Sequence, residues 1–166
     1  MIAAPGMRWL AMASWSDDRA EAIIAAHRGA EGAALPILHA LQHEFGFVPE
    51  EALPLVATAL NLSRAEVHGI VTFYHDFRRA PPGRHVLRLC RAEACQAMGA
   101  DALAAEARAR LEVDWGATSG DGRVTLEPVF CLGLCACAPA AMLDGKVIGG
   151  LDRARLGALI DRARQS

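Results

Sequence analysis

Cysteine is the residue type in this sequence best suited to chemistry, and all five cysteines lie in the second half of the chain. Four of them form two pairs, Cys90 with Cys95 in a C-x4-C pattern and Cys131 with Cys135 in a C-x3-C pattern. Residues 96–130 separate the pairs. The odd number of cysteines argues against a disulfide framework, and the lack of C-x-x-C argues against a thioredoxin-type dithiol.

Each pair is expected in a loop directly after a predicted β-strand, so that the strand end positions the thiols. Four thiolates at these spacings can hold a tetrahedral zinc ion or a [2Fe–2S] cluster. Gly133 would let backbone N–H groups approach cluster sulfurs and tune their potential. The spacing favours the cluster but leaves zinc, and free structural thiols, as open alternatives.

Three further residues near the pairs bear on this chemistry. Arg88 precedes Cys90 by two residues and Arg91 follows it directly. A cluster held by four thiolates carries a net charge of roughly −2, so we expect the Arg91 guanidinium to stabilise its reduced form and raise its potential. The fifth cysteine, Cys137, is predicted to be a small buried residue of the turn, not a ligand.

Two strands must position the pairs. Residues 85–90 read as a strand that ends on Cys90, and residues 123–130 as a second strand that delivers Cys131. An alanine-rich helix is predicted between them, over residues 99–113.

The last part of the chain completes a sheet. Residues 141–148 predict a hairpin because Asp144-Gly145 suits a type I′ turn. Asp152 is expected to cap a final amphipathic helix. The resulting order, β-α-β-β-β-α, predicts an α/β domain with helices packed on a central sheet.

The first half of the chain predicts a small helical bundle that ends at the proline- and glycine-rich residues 79–83, which neither a helix nor a strand can cross. The predicted helices run from Asp18 to Gly29, from Leu35 to Gly46, from Pro49 to Asn61 and from Ser63 through Tyr74. Asp18 with Glu21, and Ser63 with Glu66, have the spacing of an N-cap and its partner. Pro54 is expected to kink the third helix. The predicted organisation is a disordered tail over residues 1–16, the bundle over 17–79 and the sheet domain over 84–166.

The composition is that of a globular protein, with 53% hydrophobic and 22% charged residues. A net charge of −2 gives no reason to expect a nucleic-acid partner. No apolar run approaches the ~20 residues of a membrane span, and the apolar stretch over residues 9–13 is short for a signal peptide. We therefore expect a cytoplasmic protein without direct membrane insertion.

Several motifs in order resemble one family. They are Gly46-Phe-Val-Pro-Glu50, Val67-His-Gly-Ile-Val-Thr-Phe-Tyr74, the C-x4-C loop, and Cys131-Leu-Gly-Leu-Cys135 followed by Ala138-Pro139. From about residue 33 onward the chain resembles the thioredoxin-like [2Fe–2S] ferredoxin subunits of NAD-linked complexes, namely the E-type chain of complex I (NADH dehydrogenase) and its relatives in NAD-reducing hydrogenases and NAD-dependent formate dehydrogenases. The resemblance implies a thioredoxin-like ferredoxin domain and leaves Cys137 without a role. It implies that one cluster is bound by Cys90, Cys95, Cys131 and Cys135.

Two stretches look closer to the gamma subunit of NAD-dependent, molybdenum-containing formate dehydrogenase. They are residues 90–99, with neither Thr nor Pro between Cys90 and Cys95, and Phe73-Tyr-His-Asp-Phe-Arg78. This resemblance implies an electron-transfer subunit without catalytic residues of its own, beside an FMN- and NAD-binding subunit and a large molybdopterin subunit with further Fe–S clusters. The absence of G-x-G-x-x-G agrees with nucleotide binding elsewhere. The complex I or hydrogenase role is the alternative, and a zinc-stabilised interaction module is the third.

Histidines and aromatic residues are weaker candidates. His39 and His43 are four residues apart on a predicted helix, but without an H-E-x-x-H signature an exposed polar face is the simpler interpretation. His68, His75 and Asp76 are interpreted as capping and packing groups, the alternative being contact with a flavin subunit. Five aromatic residues are assigned mostly to the core of the bundle: Phe45, Phe47, Phe73, Tyr74 and Phe77.

Overall fold

The computed structural model describes residues 15–165. Compact packing divides the chain into two units, the first ending at Pro81 and the second beginning at Pro82. The predicted tail over residues 1–16 lies outside the described residues except for Trp15 and Ser16, and the Trp15 ring packs against Phe45. No helix within residues 15–165 has the length and apolarity needed to cross a membrane.

The first unit is a bundle of short helices. They are α1 (Asp17–His27), α2 (Ala34–Phe45), α3 (Ala52–Leu60) and α4 (Arg64–Phe73). Ile37, Leu38 and Leu41 of α2 are completely buried and lie at helical spacing, so this helix supplies the centre of the core. It ends as predicted at Gly46, whose φ of 83° is the left-handed conformation that glycine adopts at helix ends.

Two predicted details of the bundle are wrong. The first helix begins after Ser16 and not at Asp18, because Ser16 has the extended backbone of an N-cap while Asp17 and Asp18 lie in the first turn. Acidic side chains there complement the partial positive charge of the N-terminus. The third helix begins at Ala52, so that Pro54 lies in its first turn, where a missing N–H breaks no helical hydrogen bond and no kink is needed.

Helix α4 is capped as predicted but ends early. Ser63 Oγ accepts from the Glu66 N–H and the Glu66 carboxylate accepts from the Ser63 N–H, so the predicted capping box is confirmed. The helix ends at Phe73, and Tyr74 already has an extended backbone. Phe73 and Tyr74 are therefore exposed, and their assignment to the core is wrong, whereas Phe45 and Phe77 are buried.

The second unit is a four-stranded sheet with helices. Its elements are β1 (His85–Cys90), α5 (Glu93–Ala97), α6 (Ala100–Leu111), β2 (Val124–Val129), β3 (Ala141–Leu143), β4 (Lys146–Ile148) and α7 (Arg153–Gln165), with a 3₁₀ turn at Cys135–Cys137. The strand order is β2-β1-β3-β4, with β1 and β2 parallel and the other pairs antiparallel. The predicted order β-α-β-β-β-α is confirmed, except that the one helix expected over residues 99–113 is preceded by the separate short helix α5.

The predicted hairpin turn and the predicted cap of the last helix are both confirmed in this unit. Asp144 and Gly145 have φ values of 49° and 81°, the two positive angles that a type I′ turn requires. The Asp144 carboxylate also accepts from the Val86 N–H at 2.9 Å and lies 2.7 Å from His85 Nδ1, which ties the hairpin to the start of β1. Asp152 Oδ1 accepts from the Arg155 N–H at 2.8 Å, so Asp152 is the predicted cap of α7.

Candidate metal centre

The parallel pairing of β1 with β2 brings the two cysteine pairs to the same edge of the sheet. Cys90, the last residue of β1, is in register with Val129, the last residue of β2. The Arg91 N–H donates to the Val129 carbonyl at 2.7 Å, so the two segments leave the sheet side by side. Cys131 follows two residues later. The pairs therefore meet although residues 96–130 separate them in sequence.

The first pair is buried. Cys90 and Cys95 are each 2% exposed and pack with Ala100 and Ala140 in a small apolar cluster. Cys95 lies on α5 and not in a loop as expected, because the chain turns into a short helix at Glu93. Burial raises the pKa of the Cys95 thiol, and the hydrogen bond that this thiol donates to Cys90 raises it further.

The second pair lies in an exposed loop with unusual backbone geometry. The Sγ atoms of Cys131 and Cys135 are 4.0 Å apart, and both side chains are exposed. Cys131 has a φ of 119°, which non-glycine residues rarely adopt and which is typical of functional sites. Gly133 has a φ of 76°, and its N–H points at Cys131 Sγ at 3.4 Å. The hydrogen bond that Cys135 donates to Cys131 raises the pKa of the Cys135 thiol.

Backbone N–H groups from both loops converge on Cys90. Burial opposes ionisation of this thiol, but hydrogen bonds from the Ala92 N–H, from the Cys95 thiol and from the N–H groups of Leu132 and Cys131 together outweigh it. The pKa of Cys90 is therefore below its ordinary value. Since Leu132 and Cys131 belong to the second loop, these bonds connect the two pairs directly.

The donor set fits a [2Fe–2S] group. Such clusters are held by four thiolates and tuned by hydrogen bonds to sulfur, and the two pairs supply four thiols with N–H donors already directed at Cys90 and Cys131. Across residues 15–165, no group of three or more His, Cys, Asp or Glu side chains is gathered around a point that one metal ion could occupy. The thiols instead form two pairs.

Cys137 is not the buried residue that its position predicted. Its side chain is exposed, because Cys135–Cys137 form a 3₁₀ turn closed by a hydrogen bond from the Cys137 N–H to the Leu134 carbonyl at 2.9 Å. No role was predicted for Gly149, whose backbone lies against Cys137. The Gly149-Gly150 pair after the last strand was the available signal.

The flanking arginines are both paired. Arg88 Nε lies 2.7 Å from a carboxylate oxygen of Glu127 on the neighbouring strand. The Arg91 guanidinium lies 3.0 Å from Asp101 at the start of α6 and over the ring of Trp115. The charge that was expected to act on a cluster is therefore partly offset by a carboxylate.

The histidine candidates lie in the helical unit. His39 and His43 are exposed as predicted, and the His39 ring packs against Phe77 at 4.9 Å. His68 and His75 are exposed as well, as is Asp76. The Asp76 carbonyl accepts from the Gln42 side chain at 2.8 Å, and the His68 carbonyl accepts from the Thr72 hydroxyl at 2.9 Å.

Comparison with known proteins identifies one family and several similar subunits of oxidoreductases. Residues 20–164 match the model of the thioredoxin-like [2Fe–2S] ferredoxin family. The E subunit of the NADH-quinone oxidoreductase of Pseudomonas aeruginosa is 38% identical over 117 residues, or 70% of each chain. The E 2 subunit of the NADH-quinone oxidoreductase of Rhizobium meliloti is 37% identical over 144 residues, covering 87% of this chain and 86% of its own. NADP-reducing hydrogenase subunit HndA of Solidesulfovibrio fructosivorans is 35% identical over 121 residues, 73% of this chain and 71% of its own.

A solved structure shares the fold. The crystal structure of an NAD⁺-reducing [NiFe]-hydrogenase in the H₂-reduced state superposes with a TM-score of 0.66 and 29% identity. The match covers 78% of this chain but only 22% of the hydrogenase chain. The relatives named above are subunits of oxidoreductases. Because its two thiol pairs meet at one sheet edge and residues 20–164 match the family model, this chain belongs to the thioredoxin-like [2Fe–2S] ferredoxins.

Proposed function

We propose that this chain is an electron-transfer subunit in which Cys90, Cys95, Cys131 and Cys135 bind one [2Fe–2S] cluster. The observation that carries the proposal is the convergence of two thiol pairs at the carboxyl ends of the parallel strands β1 and β2. Strand pairing brings both loops to one edge of the sheet, and N–H groups point at the sulfurs of Cys90 and Cys131. We assign the chain no catalytic residue, because the four thiols are proposed to hold the cluster.

The two thiol pairs differ in their exposure to solvent, and this difference bears on the path of the electrons. A [2Fe–2S] cluster accepts and returns one electron at a time. Cys90 and Cys95 lie in an apolar environment that excludes water, whereas Cys131 and Cys135 lie at the surface. Electrons would therefore enter and leave on the side of the exposed pair, where a partner subunit can approach.

The finer part of the proposal is the host complex, NAD-dependent formate dehydrogenase, in the cytoplasm. It is supported by the residues of two stretches, Cys90-Arg-Ala-Glu-Ala-Cys95 and Phe73-Tyr-His-Asp-Phe-Arg78. In that complex a molybdopterin-containing large subunit with further Fe–S clusters would oxidise formate, and an FMN subunit would reduce NAD⁺.

A second host has support from the relatives. Those named above are subunits of NADH-quinone oxidoreductase and of an NADP-reducing hydrogenase, and a solved relative is an NAD⁺-reducing hydrogenase. The same cluster-binding chain would serve in either complex, because the cysteine site contains nothing specific to formate, quinone or hydrogen.

The test is to tag the chain in its native host, purify it gently, and assay NAD⁺ reduction with formate. Formate-dependent activity with molybdenum and flavin subunits attached is the expected result. NADH oxidation with quinone- or hydrogen-reactive subunits attached would move the chain to the second host. A colourless preparation that contains zinc, lacks labile sulfide and gives no EPR signal on reduction would contradict the cluster itself.

A further inference from the structure

Gly149 lies so close to Cys137 that a side chain at position 149 would overlap it. A Cβ atom added to Gly149 would lie 2.8 Å from Cys137 Cβ and 3.0 Å from the Cys137 carbonyl oxygen. Neither atom is the end of a flexible side chain, so a substitution must move the main chain. Cys137 ends the 3₁₀ turn that begins at Cys135, and the Leu134 side chain lies 3.7 Å from the same point.

Two hydrogen bonds hold the same two segments together. The Gly150 N–H donates to the Cys137 carbonyl at 2.5 Å, and the Leu151 N–H donates to the Pro139 carbonyl at 2.9 Å. Residues 149–151 therefore run along residues 137–139, directly after the second cysteine pair.

The segment over residues 149–151 is itself fixed from α7. One guanidinium nitrogen of Arg155 donates to the carbonyls of Gly149 and Gly150 at 2.9 and 2.8 Å. The backbone N–H of Arg155 is held by Asp152, the cap of α7. Leu156 and Ile160 anchor this helix in the core of the sheet unit. A continuous set of contacts thus leads from the core to the turn that contains Cys135.

We propose that Gly149 is a positioning residue for the second cysteine pair, and that Cys137 takes part in the same contact through its Cβ atom and carbonyl oxygen and not through its thiol. The inference rests on the proposed binding of a cluster by these cysteines. The close approach at Gly149 sets where the Cys135–Cys137 turn lies, and so sets the direction of the Cys135 thiol. A methyl group at position 149 would displace the turn that carries the Cys135 thiol.

The test compares Gly149→Ala with Gly120→Ala in the full-length, cluster-loaded chain. Gly120 is in the same unit, and an added Cβ there meets no atom within 4 Å. We expect Gly149→Ala to shift the EPR spectrum of the reduced protein and to lose iron to a chelator several-fold faster, while Gly120→Ala matches the wild type. The double variant Gly149→Ala/Cys137→Gly removes the nearer of the two clashing atoms and is expected to recover much of the wild-type behaviour. A wild-type spectrum and rate in Gly149→Ala, or no recovery in the double variant, would overturn the proposal.

A readout that needs no cluster separates this inference from the proposed function. Amide hydrogen exchange at Gly150 reports its hydrogen bond to Cys137 in any folded preparation. Faster exchange in Gly149→Ala than in Gly120→Ala supports the contact even if the wild type binds no cluster, and equal exchange contradicts it. A wild-type protein without iron and sulfide would count against the proposed function alone.

Discussion

The guanidinium of Arg91, the residue that follows Cys90, lies 3.0 Å from the carboxylate of Asp101 and 5.3 Å from the centre of the Trp115 ring. The Arg91 side chain is about three-quarters buried, with an exposed fraction of 27%, whereas Asp101 is 63% exposed. The positive charge is therefore fixed near the first cysteine pair by a partner that is mostly in solvent. This ion pair contributes to the electrostatic potential that a bound cluster would experience.

Removing the charge of Asp101 and removing the charge of Arg91 should shift the reduction potential of the bound cluster in opposite directions. Asp101→Asn leaves the Arg91 charge unopposed and is expected to raise the midpoint potential, whereas Arg91→Gln is expected to lower it. One charge about 10 Å away in a medium of intermediate dielectric corresponds to a shift on the order of 50 mV for a one-electron couple. A potentiometric titration followed by EPR measures both shifts.

Arg108→Gln is the matched control for these variants. Arg108 also pairs with a carboxylate, that of Asp114, but it lies about two turns further along α6 than Asp101. Its removal should leave the potential close to the wild-type value. Equal potentials in Asp101→Asn, Arg91→Gln and the wild type would show that this ion pair has no electrostatic role at the centre.

Single serine substitutions should separate the four proposed ligands from the fifth cysteine. Cys90→Ser and Cys131→Ser are expected to lose the visible absorption and most of the iron, since a hydroxyl does not replace a thiolate ligand here. Cys137→Ser is expected to keep about two iron and two labile sulfide per chain. Iron and sulfide analysis of the purified variants decides the point, and loss of the cluster in Cys137→Ser would revise the ligand set.

Asp144→Ala should destabilise the sheet unit, whereas Asp144→Asn should be tolerated. Alanine loses the acceptor for the Val86 N–H and is strained at a φ of 49°, and together these effects are expected to lower the free energy of unfolding by about 1–3 kcal/mol. Asparagine keeps a carbonyl acceptor and adopts positive φ readily. Urea unfolding of the two variants measures the difference, and equal losses would show that the hairpin does not depend on this contact.

Ser63→Ala should weaken the start of α4 by about 1 kcal/mol, because the helix loses the acceptor for its Glu66 N–H. Circular dichroism during urea unfolding measures this loss. Ser63→Thr is the matched control, since threonine keeps the hydroxyl and should retain most of the stability. An unchanged free energy of unfolding in Ser63→Ala would contradict the cap.

The same capping box should make stability depend on pH. Hydrogen bonds from the backbone and side chain of Ser63 hold the pKa of Glu66 below its ordinary value of 4.5. Because the folded pKa is the lower one, this stabilisation is complete above 4.5 and disappears as the pH falls through the folded pKa. Glu66→Gln cannot titrate, so the wild type should lose more stability than this variant between about pH 6 and about pH 3. Parallel curves for the two proteins would exclude the linkage.

Local signals in the sequence predicted much of this fold. The strand that ends on Cys90, the Asp144-Gly145 turn and the Ser63–Glu66 box each depend on a few neighbouring residues, and the structure reproduces them. The division of the cysteines into two pairs after two strands could be predicted for the same reason. The assignment of all four as cluster ligands stays a prediction, and the serine variants test it at Cys90 and Cys131.

Features that depend on tertiary contacts could not be predicted in this way. Helix α5 has only five residues, too few to produce a periodic pattern, so the helical position of Cys95 was missed. The exposure of Phe73 and Tyr74 depends on where α4 ends, and aromatic residues usually indicate a core. The contact between Gly149 and Cys137 joins segments that only the folded chain brings together.

The parallel pairing of β1 with β2 also constrains how the protein matures. Synthesis completes Cys90 and Cys95 before Cys131 and Cys135, and parallel strands need a long crossover before they can pair. Until that crossover closes, the nascent chain holds two separate dithiols, each open to oxidation or to capture of the wrong ion. If the four cysteines bind one cluster as proposed, iron and sulfide are delivered after β1 and β2 have paired, and overproduction that outpaces folding is expected to yield chains that lack the cluster.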